Sequence, residues 1–178
     1  MRSRSRAVGP SLALILSWAV GFPTLADEDP CAGFKWDVSK ERRLFESAPL
    51  PLAATGTVDS APEVTSNRFY EIKLLPASQV SFAALPGKKP AENSYAGMAR
   101  LTIPASGRYR IAIDGPYWID VVVDGKLVVP TDYEGLHGCT TPRKIVEFEL
   151  DRAQRLVVQL SGATFALIRM TIVPVPVI

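Results

Sequence analysis

Histidine is almost missing from this chain of 178 residues: His137 is the only one. A non-haem iron centre of the two-histidine, one-carboxylate type is therefore excluded. A zinc site, which needs three or four ligands, is poorly served by one histidine and two distant cysteines. No Gly-x-Ser-x-Gly, phosphate loop or dinucleotide fingerprint is present. A triad needs only one histidine, but His137 lies two residues from Cys139, in a loop, where a solvated side chain is the simpler reading. Cysteine is scarce as well. Cys31 and Cys139 are the only two, with no Cys-x-x-Cys and neither at a recognisable helix N-terminus. Long apolar runs are also lacking. The longest, Ala7–Val20, is shorter than the roughly 20 residues that a membrane span requires.

That short run has a different meaning. Arg2, Arg4 and Arg6 precede it, and Thr24-Leu25-Ala26 follows. A basic start, an apolar middle and a small-x-small site make a secretory signal peptide, residues 1–26, cleaved after Ala26. Excess charge then disappears too. Three arginines leave with residues 1–26, so 20 basic and 18 acidic residues become 17 and 18. No concentrated basic patch remains, which argues against nucleic acid. The product, residues 27–178, is periplasmic or secreted, with no membrane span after cleavage and the length of one domain. In an exported protein a lone cysteine pair reads as one disulfide, Cys31 to Cys139, rather than free thiols or a redox couple. In the chain-entropy model such a loop is worth up to about 4.7 kcal/mol.

What the chain does have is alternation. Tyr109, Ile111 and Ile113 alternate with Arg108 and Arg110, as on a strand with one buried face. Gly115-Pro116 breaks the run. Tyr117–Val123 is apolar except at Asp120, as in a strand covered on both faces. Asp124-Gly125 is a hairpin signal, and Lys126–Val129 returns. Gly107–Val129 is thus expected to be three strands folded on one another. Further strands are expected over 52–59, 68–75, 79–83, 97–103, 143–150, 156–160 and 165–173. The first of these is weak. Ser161-Gly162 reads as a turn and 131–142 as a long irregular loop. Pro86–Ser94 reads as an exposed polar loop. Asp37 or Ser39 caps one short helix ending near Phe45. The fold class is all-β: an antiparallel, jelly-roll-like β-sandwich of eight or nine strands with one short N-terminal helix.

Two resemblances follow. The opening Cys31-x-x-Phe34-Lys35-Trp36-Asp37-Val38-Ser39-x-Glu41 after a signal peptide resembles a group of small exported proteins of Gram-negative bacteria. The name homogentisate dioxygenase, carried by some of them, does not suit a chain with one histidine. From Ser106-Gly107-x-Tyr109 to Asp124-Gly125 the cadence is similar to jelly-roll sandwiches of the carbohydrate-binding-module and pre-peptidase C-terminal type. These resemblances imply export and fold, and fold does not settle function.

Aromatic residues are the remaining handle. Trp118, Tyr117 and Tyr133 fall in or beside the central stretch, with Asp120 between them, and aromatic faces can stack on sugars. Each has a plainer reading: Trp118 as core, Asp120 as a carboxylate at a sheet edge or paired with Arg110. No metal or cofactor is expected, although Asp132, Glu134 and loop carbonyls keep a structural calcium open. Glu147 and Glu149 share one strand face, but beside Arg143 and Lys144 they read as solvated rather than as a hydrolase pair. The expectation is a non-catalytic exported module for an envelope glycan or other component. A periplasmic accessory subunit acting through a protein partner is the alternative. It is suggested by the apolar Pro174-Val175-Pro176-Val177-Ile178 tail. An unrecognised hydrolase is the third reading.

Overall fold

The computed structural model describes residues 29–176, so the signal-peptide reading and the last two tail residues lie outside the described residues. One α-helix, α1 (Ser39–Phe45), precedes twelve strands among the described residues, with a short 3-10 helix at Ala77–Gln79. These are β1 (Leu50–Ala53), β2 (Glu63–Thr65), β3 (Phe69–Lys73), β4 (Leu75–Pro76), β5 (Tyr95–Thr102) and β6 (Gly107–Ile113). They continue as β7 (Trp118–Val123), β8 (Lys126–Leu127), β9 (Asp132–Gly135), β10 (Lys144–Leu150), β11 (Leu156–Ala163) and β12 (Leu167–Pro174). They form two sheets, β1-β3-β12-β6-β10-β9 and β2-β5-β11-β7-β8, with β4 on β5. The expected all-β sandwich is present. Its sheets are mixed rather than purely antiparallel, because β1 runs parallel to β3 and β2 parallel to β5.

Strict alternation builds the core. Tyr109, Ile111 and Ile113 of β6, Val146, Phe148 and Leu150 of β10, and Ile168, Met170 and Ile172 of β12 face inward from the first sheet. Ile119 and Val121 of β7 and Leu156, Val158 and Leu160 of β11 meet them from the second. Burying a side chain of this size stabilises by about 1.5–3 kcal/mol.

The central stretch differs from expectation. β6 and β7 are not neighbours: β6 lies between β12 and β10 in one sheet, β7 between β11 and β8 in the other. Gly115-Pro116 carries the chain across. Alternation tells which face of a strand is buried, and both sheets bury theirs in one core, so it is silent on sheet membership. The β7–β8 hairpin forms as expected, with Val123 opposite Lys126 and positive φ at Asp124 (47°) and Gly125 (74°). Ser161-Gly162 is a bulge inside β11 rather than a turn; Gly162 takes a φ of 72° and the chain reverses over 164–166. The 79–83 stretch is not a strand, and 131–142 contains β9.

Both outer faces are partly covered, which explains apolar residues of both parities. Over the first sheet, Cys31, Phe34 and Val38 pack on Ala112 and Ile145. Over the second, Val58, Val80 and Ala83 pack against Met98, Val122 and Val157. The cysteines form the expected disulfide, Cys31–Cys139, spanning 108 residues, buried in the first of these covers. Asp37 Oδ1 accepts the Ser39 N–H at the start of α1 (2.9 Å). The C-terminal tail runs on along β6, where Val175 N–H donates to the Arg108 carbonyl (2.9 Å).

Candidate ligand-binding cleft

The two sheets end, on one side, in their shortest supports. β8 is two residues long and β9 is four. Between them the chain crosses from sheet to sheet. Val128 N–H donates to the Val121 carbonyl and Thr131 N–H to the Glu147 carbonyl, each at 2.8 Å. Pro130 lies on the crossing, where a residue without a donor leaves no ladder bond unmade. The sandwich gapes here into a cleft of about 580 Å³, within the roughly 300–1,000 Å³ of small-molecule sites.

The cleft floor is the core itself: Ile119, Val146 and Phe148. Leu127, Val129 and Pro130 make one wall. Val129 is 81% exposed and Tyr133 68%, so the mouth is apolar and open. Val121 turns its carbonyl toward β8, so by the period of two Ile119 turns its backbone groups the same way. β8 stops at Leu127, and among the described residues no strand pairs with Ile119 on that side.

Polar groups gather at one end. Lys144 opens β10 at the same parity as Val146 and Phe148, so its side chain starts from an inward position. Its Nζ donates to the Tyr117 carbonyl (2.9 Å) and lies 4.7 Å from the centroid of the Trp118 ring. Burial holds its ammonium below the ordinary lysine range, and the nearby Asp120 charge works the other way. Arg143 and the exposed His137 line the same end, with Arg143 Nη2 3.1 Å from His137 Nδ1. Among the described residues no carboxylate lies within 4.0 Å of either Lys144 or Arg143.

The cleft brings together three of the four aromatic and acidic residues that the sequence singles out. Trp118 is half-buried and forms part of the lining, neither free surface nor core. Its indole N–H donates to Asp120 Oδ1 (2.9 Å). Asp120 Oδ2 accepts from the Gly87 N–H (3.1 Å) and from Gln159 Nε2 (3.5 Å). Asp120 is thus neither a free edge acid nor a partner of Arg110; it anchors the loop around Gly87. A Cβ on Gly87 would stand 2.7 Å from the indole nitrogen, so the loop approaches this closely because it carries glycine there. Tyr133 stands on β9 at the mouth. Tyr117 does not line the cleft. It is 6% exposed, its ring packs under Gly115, and burial followed by the Asp114 charge raises its hydroxyl pKa.

Arg110 instead lies on the covered outer face. Its Nε is 3.1 Å from Glu147 Oε2 and its Nη1 3.8 Å from Glu41 Oε1. Glu147, expected to be solvated, is only 4% exposed, because Arg108 and Arg110 close over it. Glu149 is exposed. Asp132 and Glu134, the oxygens of the calcium reading, are both engaged by Lys35. Its Nζ donates to Asp132 Oδ1 (2.6 Å) and its backbone N–H to Glu134 Oε2 (2.8 Å). That hydrogen bond from Lys35 is the main reason the Asp132 carboxyl titrates below its usual range. Among the described residues no group of three His, Cys, Asp or Glu side chains is arranged to hold a metal ion, and no helix is long and apolar enough to cross a membrane.

Arg143, Lys144, Leu127 and Val129 are the lining residues that sequence reasoning missed. For Lys144 a signal existed: a charged residue in phase with Val146, Phe148 and Leu150 stands where a core residue belongs. An indole, an ammonium, a guanidinium and apolar walls converge here. That set suits the recognition of a polar or anionic group attached to an apolar body. No protein-family model, curated protein or solved structure matches this chain.

Proposed function

We propose that this chain is an exported, non-catalytic β-sandwich that binds a component of the cell envelope in the cleft between β8 and β9. One observation carries the reading: the sandwich opens to its own core on this side and collects Trp118, Asp120, Tyr133 and Lys144 around the opening. The signal-peptide pattern of residues 1–26 and the resemblance to exported proteins of Gram-negative bacteria support export. The buried disulfide fits an oxidising compartment. A glycan is one such component, since the exposed Tyr133 ring offers a face for stacking.

The test is retention of the processed protein on peptidoglycan, lipopolysaccharide, soluble glycans and detergent-solubilised envelope protein. Wild type runs beside Val129→Glu and Tyr133→Ala, both at exposed positions and checked for folding. Retention on a non-protein fraction that is lost in folded Val129→Glu is the expected result. Retention that is untouched by both substitutions would sink the cleft reading. Retention on the protein fraction alone would make the chain an accessory subunit.

A further inference from the structure

We propose that the ligand of this cleft is an anionic amphiphile, with its alkyl or acyl chain along Ile119, Val129 and Phe148 and its carboxylate or phosphate head at Lys144 and Arg143. The inference rests on the cleft being the binding site and names the chemical class that the site takes.

Three observations converge. The first is the wall. A site for a free sugar needs polar groups along its length to satisfy hydroxyls. Here the floor is core and one wall is Leu127, Val129 and Pro130, while the two cations, Arg143 and Lys144, stand together at the head of β10. The second is charge. The oxygens of the acids in the lining are taken up by neutral donors: those of Asp120 by the Trp118 indole, the Gly87 backbone N–H and the Gln159 amide, and one of Glu134 by the Lys35 backbone N–H. Neither cation is in an ion pair, since no carboxylate reaches Lys144 or Arg143 within 4.0 Å among the described residues. Lys144 and Arg143 thus stand in the lining outside any ion pair, while Asp120 and Glu134 keep their charges in the same lining. The third is the position of Lys144. An ammonium has three donors, and the hydrogen bond within the protein is to the Tyr117 carbonyl. A charge at an inward strand position costs stability unless it is paired, and an anionic head supplies the pair. The same lysine lies against the Trp118 ring at 4.7 Å. A sugar stacked on that face would have to displace it.

The experiment uses the full chain, expressed and purified in the form in which its cells process it, titrated calorimetrically. The probes are sodium laurate, dodecyl phosphate, dodecyl maltoside as a neutral head on the same chain, and maltohexaose. Laurate and dodecyl phosphate are expected to bind, with dodecyl maltoside at least tenfold weaker. Shortening laurate should weaken binding by roughly fourfold per methylene removed, the equivalent of about 0.8 kcal/mol. Lys144→Gln should lose tenfold or more for laurate and leave dodecyl maltoside unchanged; Arg143→Gln, nearer the surface, serves if the first variant does not fold. Uptake from phosphatidylglycerol vesicles, set against free laurate, separates a membrane lipid from a free acid as the source. Either result supports the class, and failure of both overturns it. Equal affinity for laurate and dodecyl maltoside, or laurate binding unmoved in folded Lys144→Gln and Arg143→Gln, would also overturn it. Glycan binding that is lost in Val129→Glu, with no laurate binding, overturns the amphiphile and leaves the cleft reading standing. Envelope retention unmoved by Val129→Glu overturns both.

Discussion

Among the described residues cations lie against two indoles, Lys35 and Arg110 against Trp36 and Lys144 against Trp118, and the two places are built on opposite principles. On the covered outer face of the first sheet, the Arg110 guanidinium lies 4.6 Å from the centre of the Trp36 ring. In the cleft, the Lys144 ammonium lies 4.7 Å from that of Trp118. Around Arg110 the charges close on themselves: Glu147 at 3.1 Å, Glu41 at 3.8 Å, and Arg108 on the other oxygen of Glu147 at 3.3 Å. Burial raises the Glu41 carboxyl above its usual range, with Arg110 opposing the rise. Around Lys144 no carboxylate comes within 4.0 Å among the described residues, and Asp120 acts on it only from farther off. The first arrangement holds the α1 segment to the sheet. The second leaves a half-buried ammonium outside any ion pair, and the proposed ligand head is what would meet it.

The comparison is broken most strongly at the disulfide. Cys31→Ser with Cys139→Ser releases a link across 108 residues, and its loss should cost about 4 kcal/mol of unfolding free energy. Denaturant titration reads it. A loss below 1 kcal/mol would mean that Lys35 and the apolar contacts of Phe34 and Val38 hold the cover alone. Next comes Glu147→Ala, which leaves Arg110 buried with the looser Glu41 contact as its one carboxylate among the described residues, beside the Asp37 carbonyl and the Trp36 ring. It should cost about 3 kcal/mol, near the lower end for a broken buried pair because Arg108 is half exposed.

In the cleft the sign reverses. Lys144→Met removes a half-buried charge that has no ion pair among the described residues from an inward position, so the fold should gain about 1 kcal/mol while the proposed head-group site is lost. The same residue sets a pH dependence. Its folded-state pKa lies below the ordinary 10.5, so between those two values the unfolded chain binds more protons than the folded one. Its contribution to stability should therefore rise with pH through that window, and Lys144→Met should flatten the rise. An unchanged slope would show that the ammonium is better solvated than its position implies. The smallest effect belongs to Tyr133→Ala. At an exposed site it should move stability by no more than about 0.5 kcal/mol, so any weakening of ligand binding reports contact at the mouth.

Much of the fold was legible, and the reason is local. Tyr109–Ile113 and Val146–Leu150 alternate cleanly because each strand has one face in the core, and Asp124-Gly125 admits only a tight hairpin. The β9 strand was hidden in a loop because Asp132–Gly135 pairs on one side only and buries little. β2 was hidden because three residues carry no periodicity. Of the site, Trp118, Tyr133 and Asp120 stood out by type. Of the readings open for Asp120, a pair with Arg110 fails because Arg110 belongs to the other sheet, and the place beside Trp118 is the one it takes.

By itself, then, the sequence determined which residues face a core, where the chain turns tightly and which two cysteines can bridge. These follow from backbone sterics, side-chain period and the count of thiols, all of them local or unique. Only the tertiary structure decided that β6 and β7 part into different sheets, that Glu147 is buried under two arginines, and that Lys144 meets Trp118 at an open edge. Those depend on pairings between strands far apart in the chain, and a period of two is the same whichever sheet a strand joins.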